Sequence, residues 1–156
     1  MKIIFSCYGG AHTSIVAAGI HLGYLPKKAK ASYKEILATP YFDQTETANI
    51  GIPLYMGQDS YNNEIFVIGM GSYRRQGTEL IYQFINEIKG RCRGEVVIIN
   101  SIALINLEIR VGGFLSRKLG LIALGRSIII YGIRKKYSRF LQLVAEIDKR
   151  LQNNEL

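Results

Sequence analysis

Short runs that are apolar at every position constrain this chain most: Ile3-Ile4-Phe5, Ile65-Phe66-Val67-Ile68, Val96-Val97-Ile98-Ile99, and Ile128-Ile129-Ile130 within 127–131. A strand with one wet face alternates apolar and polar residues, whereas a strand that is apolar throughout must be covered on both faces. Stretches with helical spacing lie between these runs. Strands alternating with helices imply a mostly parallel sheet of four to five strands between two helical layers, a three-layer α/β/α domain of P-loop-like or flavodoxin-like kind.

The element boundaries follow from caps and breakers. A first strand spans residues 2–7, is broken by Gly9 and Gly10, and leads through His12, Thr13 and Ser14 into a helix ended by Gly23 and Pro26. Serine or threonine just before an apolar periodic run is the expected N-cap chemistry. A short helix is expected over 32–38, stopped before Pro40, and a hairpin from strands 54–57 and 64–69. Helices are expected over 78–89, with Leu80, Ile81, Phe84, Ile85 and Ile88 on one face, and over 104–119. A last strand at 127–131 precedes a final helix marked by Tyr137, Phe140, Leu141, Val144, Ile147 and Leu151. At 156 residues, with 48% hydrophobic and 21% charged residues, one globular domain accounts for the whole sequence.

Two cysteines, Cys7 and Cys92, have no metal-ligand spacing around them, so neither a metal site nor a disulfide framework is expected, and a reducing cytoplasm is the expected setting. The apolar stretch before Cys7 is too short for a secretion signal, and the longest apolar run, 119–131, is interrupted by Arg126, so no membrane partner is expected. The net charge of +8 favours anionic partners. Its cations fall in small clusters (Lys27-Lys28-Ala29-Lys30, Arg74-Arg75, Arg134 to Lys136) without the interleaved aromatics of an RNA-recognition sheet, so nucleic acid is a partner of second rank.

The loop Cys7-Tyr8-Gly9-Gly10-Ala11-His12-Thr13-Ser14 carries most of the functional signal. A strand running through glycines into a helix N-terminus gathers unpaired backbone N–H groups at the positive end of the helix dipole, and glycine lets a ligand approach the backbone closely. Gly9, Gly10, Ala11, Thr13 and Ser14 are therefore the candidate anion-binding residues, the ligand being a phosphate-containing small molecule or a nucleotide. Cys7 at the same helix end is a candidate nucleophile, with His12 as its base. His21 is expected to be structural, and Cys92 to sit in a surface turn. Further along, Asn106, Arg110, Gly113 and Arg117 recur at spacings that return to one helix face, so Arg110 and Arg117 are outside candidates for the same anion. Gly69-Met70-Gly71 and Arg126 carry no specific signal. Nothing in the pattern specifies a cofactor or an oligomeric state.

Three known loops resemble this one over about eight residues. Written Cys7-x-x-Gly10-x-x-Thr13-Ser14, it looks like the phosphocysteine loop of lactose/cellobiose-type IIB proteins of the sugar phosphotransferase system. That resemblance implies Cys7 as phosphoryl acceptor, with Gly10, Thr13 and Ser14 in the cradle. It also resembles the low-molecular-weight tyrosine phosphatase loop, but Thr13 stands where the phosphate-clamping arginine would be. As Gly9-Gly10-Ala11-His12-Thr13-Ser14 it resembles the tail of a Walker A loop, with His12 in place of the lysine. Its second motif would be Val97-Ile98-Ile99-Asn100, with Asn100 in place of the magnesium-binding aspartate. Over nearly the whole chain, Tyr8 to Ser14, His21-Leu22-Gly23 and Arg110-Val111-Gly112-Gly113-Phe114-Leu115-Ser116-Arg117 resemble a family of short bacterial proteins of unknown function from spore-forming Gram-positive lineages. That resemblance implies a cytoplasmic α/β protein and transfers no activity. A Cys7-dependent phosphoryl-transfer enzyme or carrier, and a basic interaction module for nucleic acid or protein, stand as the alternatives.

Overall fold

The computed structural model describes residues 1–45, 47–88, 96–153 and 155. Its sheet has four strands, β1 (Lys2–Cys7), β2 (Leu54–Gln58), β3 (Glu64–Gly69) and β4 (Val96–Asn100), in the order β2-β3-β1-β4. β1 lies between β3 and β4, parallel to both, with Ile4 opposite Phe66 on one side and Ile98 on the other. β2 returns antiparallel along the outer edge of β3. Asp59 closes that hairpin by accepting from the amides of Tyr61 and Asn63, while Asn62 takes the left-handed conformation at φ 60°.

Because side chains alternate along a strand, β1 feeds two cores. Ile3 and Phe5 are fully buried in the larger one, with Ile15, Val16 and Ile20 of α1 (Thr13–His21). The stripe Tyr137, Phe140, Val144, Ile147 and Leu151 of α6 (Tyr137–Gln152) packs there too. Ile4 joins Ile68 and Met70 in a second cluster against Ile81 of α3 (Arg74–Ile88). Leu80, expected on the buried face of that helix, is 63% exposed because it stands one residue, about 100°, away from Ile81. Lys89 and Cys92 lie outside the described residues. α2 (Tyr33–Ala38) begins with a capping box in which Ser32 and Glu35 satisfy each other's backbone amides.

The strand expected at 127–131 is helix. These residues form the middle of α5 (Ile122–Lys135), which packs antiparallel against α4 (Leu107–Lys118). The isoleucine run suggested a strand, but Gly125, Ile129, Gly132 and Ile133 recur at helical spacing and are all buried. Gly112 and Gly125 let the two backbones touch: a Cβ on either would sit 2.7 Å from the other's carbonyl oxygen. Contact at that range overrides the β preference of branched side chains. α4 also begins later than expected, since residues 102–104 form a 3₁₀ turn and Asn106 caps the helix by accepting from the Ile109 amide. No described helix is long and apolar enough to cross a membrane.

Candidate functional site

The loop after β1 is pinned by its carbonyls. Those of Cys7 and Tyr8 accept from the amides of Met70 and Gly71, which prolongs the β1–β3 pairing past the end of both strands. The Gly10 carbonyl accepts from the Thr45 hydroxyl at 3.1 Å, and that of Ala11 from the Asp43 amide at 3.0 Å. The His12 carbonyl accepts from Val16 as the first bond of α1. Gly10 is required by packing, not by a ligand. It sits at φ +68°, and an added Cβ would lie 2.7 Å from the Gly69 nitrogen. That gives Gly69, too, a definite role. Gly9 has open space around it.

The amides are treated differently. Gly10 donates to Cys7 Sγ at 3.1 Å, and that sulfur also lies 3.1 Å from Ser14 Oγ. No protein acceptor among the described residues takes the amides of Ala11, His12, Thr13 or Ser14. The N-cap is His12 rather than a hydroxyl residue. Its side chain does not cap the helix, and the first turn contains no acidic residue. Thr13 Oγ1 is buried and has no hydrogen-bond partner among the described residues, in a residue that is only 1% exposed. A buried hydroxyl without a partner costs about 1–3 kcal/mol, so its survival calls for a reason.

His12 is held away from Cys7. Its Nε2 lies 2.9 Å from Asp43 Oδ1, and its ring meets Phe42 edge-on. Asp43 is a hub that sequence reasoning missed. Its side chain, 1% exposed, also accepts from Arg126 Nε at 2.8 Å and Ser116 Oγ at 3.2 Å, and lies 3.3 Å from Arg117 Nη2. Burial works to raise the Asp43 carboxyl. The hydrogen bonds from His12 and Arg126, with the charges of His12 and Arg117, outweigh it and lower the group from 3.8 to about 2. A carboxylate that joins the first loop to α4 and α5 is thus ionised at any physiological pH.

These ties bring α4 over the loop, with Gly113 close enough that an added Cβ would lie 3.8 Å from the His12 ring. Between them lies a cleft of about 830 Å³ at the carboxyl end of β1. Of the sequence candidates, Cys7, Gly9, Ala11, His12, Thr13, Arg110 and Arg117 line it, whereas Gly10 and Ser14 stand behind, against Cys7. Lys118 completes its cationic wall, and no carboxylate among the described residues lines it. Arg117 is engaged with Asp43, but neither Arg110 nor Lys118 forms an ion pair among the described residues. Asn106 leaves the expected polar stripe, because its side chain caps α4 and donates to the Gly132 carbonyl. His21 lies elsewhere and is structural, its Nε2 3.0 Å from Asp59 and its Nδ1 2.9 Å from Asp148 on α6. No group of three or more potential metal ligands occurs among the described residues.

Fold and site together define a mixed α/β protein whose central strand opens into a cation-lined cleft beneath a helix N-terminus. The chain belongs to the family described as protein of unknown function (DUF3189), whose pattern matches residues 2–149. No curated protein and no solved structure matches it.

Proposed function

We propose that the protein binds a phosphorylated small molecule or a nucleotide, with the phosphate at the N-terminus of α1. The observation that carries this reading is the buried Thr13 hydroxyl, without a partner among the described residues, beside four amides that no described carbonyl occupies. An anion there would accept from the hydroxyl and the amides of Ala11, His12, Thr13 and Ser14, and gain from the helix dipole. Arg110 and Lys118, which form no ion pair among the described residues, would meet the remaining charge, and Arg117 has guanidinium donors beyond the one facing Asp43. Gly10 and Ser14 support the loop from behind. The fold reading that accompanies this is a three-layer domain of P-loop-like or flavodoxin-like kind, with α1 and α6 on one face of the sheet and α3 on the other. A cytoplasmic setting, where phosphorylated metabolites abound, fits it.

A thermal-shift panel tests the reading. Nucleotides, sugar phosphates and alkyl phosphates are compared with the matching nucleosides, sugars and alcohols. A phosphorylated ligand at about a hundred times its Kd stabilises by about 2.7 kcal/mol, which raises Tm by about 5–10 °C for a chain this size. Equal shifts from the unphosphorylated partners, or none from any phosphate, would sink the reading.

A cysteine-dependent phosphoryl carrier is the second reading, favoured by one contact: the Gly10 amide donates to Cys7 Sγ on the cleft floor. His12, turned to Asp43, does not serve as its base in this arrangement. Cys7→Ser separates the two. Unchanged ligand affinity with no loss of any turnover supports binding alone, and a stable phosphoryl adduct lost in the variant supports the carrier.

A further inference from the structure

The cleft is much larger than a phosphate ion requires, and its remaining walls say what else it would hold. Beyond the cations it is lined by Ile50, Ile102, Ile105, Ile109 and Phe114, the last 56% exposed. Of its other polar side chains, Thr45 donates to Gly10 and His12 pairs with Asp43, while the exposed Tyr8 adds a largely apolar ring with a single phenol hydroxyl. Among the described residues no carboxylate or amide side chain, the groups that hold a ribose diol or read the edge of a base, lines it.

Resting on the anion site proposed above, we infer that the ligand is a monoester of phosphate with an apolar alcohol, its phosphate on the α1 N-terminus and its hydrocarbon against the isoleucine wall and Phe114. Charge and apolarity are both matched by such an amphiphile. A sugar phosphate or nucleotide would instead place hydroxyls and ring nitrogens against isoleucine and forfeit their hydrogen bonds to water.

The test is a calorimetric series of inorganic phosphate, methyl, butyl and hexyl phosphate, with AMP alongside. Burial of a methylene tightens binding about fourfold, so hexyl phosphate should bind at least about a hundredfold more tightly than inorganic phosphate, and AMP no more tightly than inorganic phosphate. Phe114→Ala, at an exposed position, should flatten the chain-length dependence and leave inorganic phosphate untouched. Arg110→Gln should weaken every member alike. Flotation with vesicles containing phosphatidic acid then separates a membrane-resident headgroup from a free monoester. Phosphate binding with no chain-length dependence, or AMP as the tightest ligand, overturns the inference while the anion site stands. Failure of every phosphate to bind overturns both.

Discussion

Thr13→Val separates the cost of the proposed site from its use. Valine has nearly the shape of threonine, and position 13 is the first residue of α1, where the two have similar helix propensity. The change therefore removes little besides a buried hydroxyl that has no partner among the described residues. Relief of that desolvation should stabilise the ligand-free protein by about 1 kcal/mol, or about 3 °C in Tm. Binding should suffer instead, because a hydrogen bond to a charged acceptor is worth about 1.5–3 kcal/mol, or about ten- to hundredfold in Kd. At a ligand concentration of about a hundred wild-type Kd, the wild type gains about 2.7 kcal/mol and the variant about 1.4 kcal/mol or less. Melting curves of the two proteins, apart without ligand, should then converge or cross as ligand is added. The reasoning is refuted if the ligand-free variant melts below the wild type, or if both proteins respond equally to ligand.

Other substitutions probe the frame around the site. Asp43→Asn should cost about 2 kcal/mol at pH 7, the free energy equivalent of lowering its carboxyl from 3.8 to about 2. Since the folded value is the lower one, that contribution is present above 3.8, about half gone at pH 3 and lost as the pH falls through 2, so urea titrations of variant and wild type should converge on acidification. Gly10→Ala, at φ +68° and against the Gly69 backbone, should cost about 3 kcal/mol by chemical denaturation, while Gly9→Ala, in open space, should stay within about 0.5 kcal/mol of wild type. Gly125→Ala should destabilise by about 1–3 kcal/mol although alanine is the better helix former, because its Cβ would meet the α4 backbone at 2.7 Å; an unchanged midpoint would mean that the α4–α5 contact is looser than described.

The parts of this fold that rest on local pattern were legible in the sequence. β1, the β2–β3 hairpin, β4 and α6 follow from apolar runs and periodicity, and each lies within a residue or two of its expected place. Residues 127–131 were misread because three consecutive isoleucines carry the composition of a strand, and only the i, i+4, i+7 recurrence of Gly125, Ile129 and Gly132 spoke for a helix interface. Asp43 was illegible for a different reason. Its partners His12, Ser116, Arg117 and Arg126 are 31 to 83 residues away, and its own surroundings have no regular period. The stripe of Arg110 and Arg117 could be read from spacing, but its position above the first loop depends on Asp43. Lys118, next to that stripe, was passed over because it falls off the face defined by the two arginines.

The central claim concerns backbone amides, and a titration of the ¹⁵N-labelled protein with inorganic phosphate observes them directly by NMR. Saturable shifts at Ala11, His12, Thr13 and Ser14, with a common Kd and weakened in Arg110→Gln, are the predicted result. Shifts that never saturate, or that gather at the exposed lysines 27–30 while the four loop amides stay still, would contradict it.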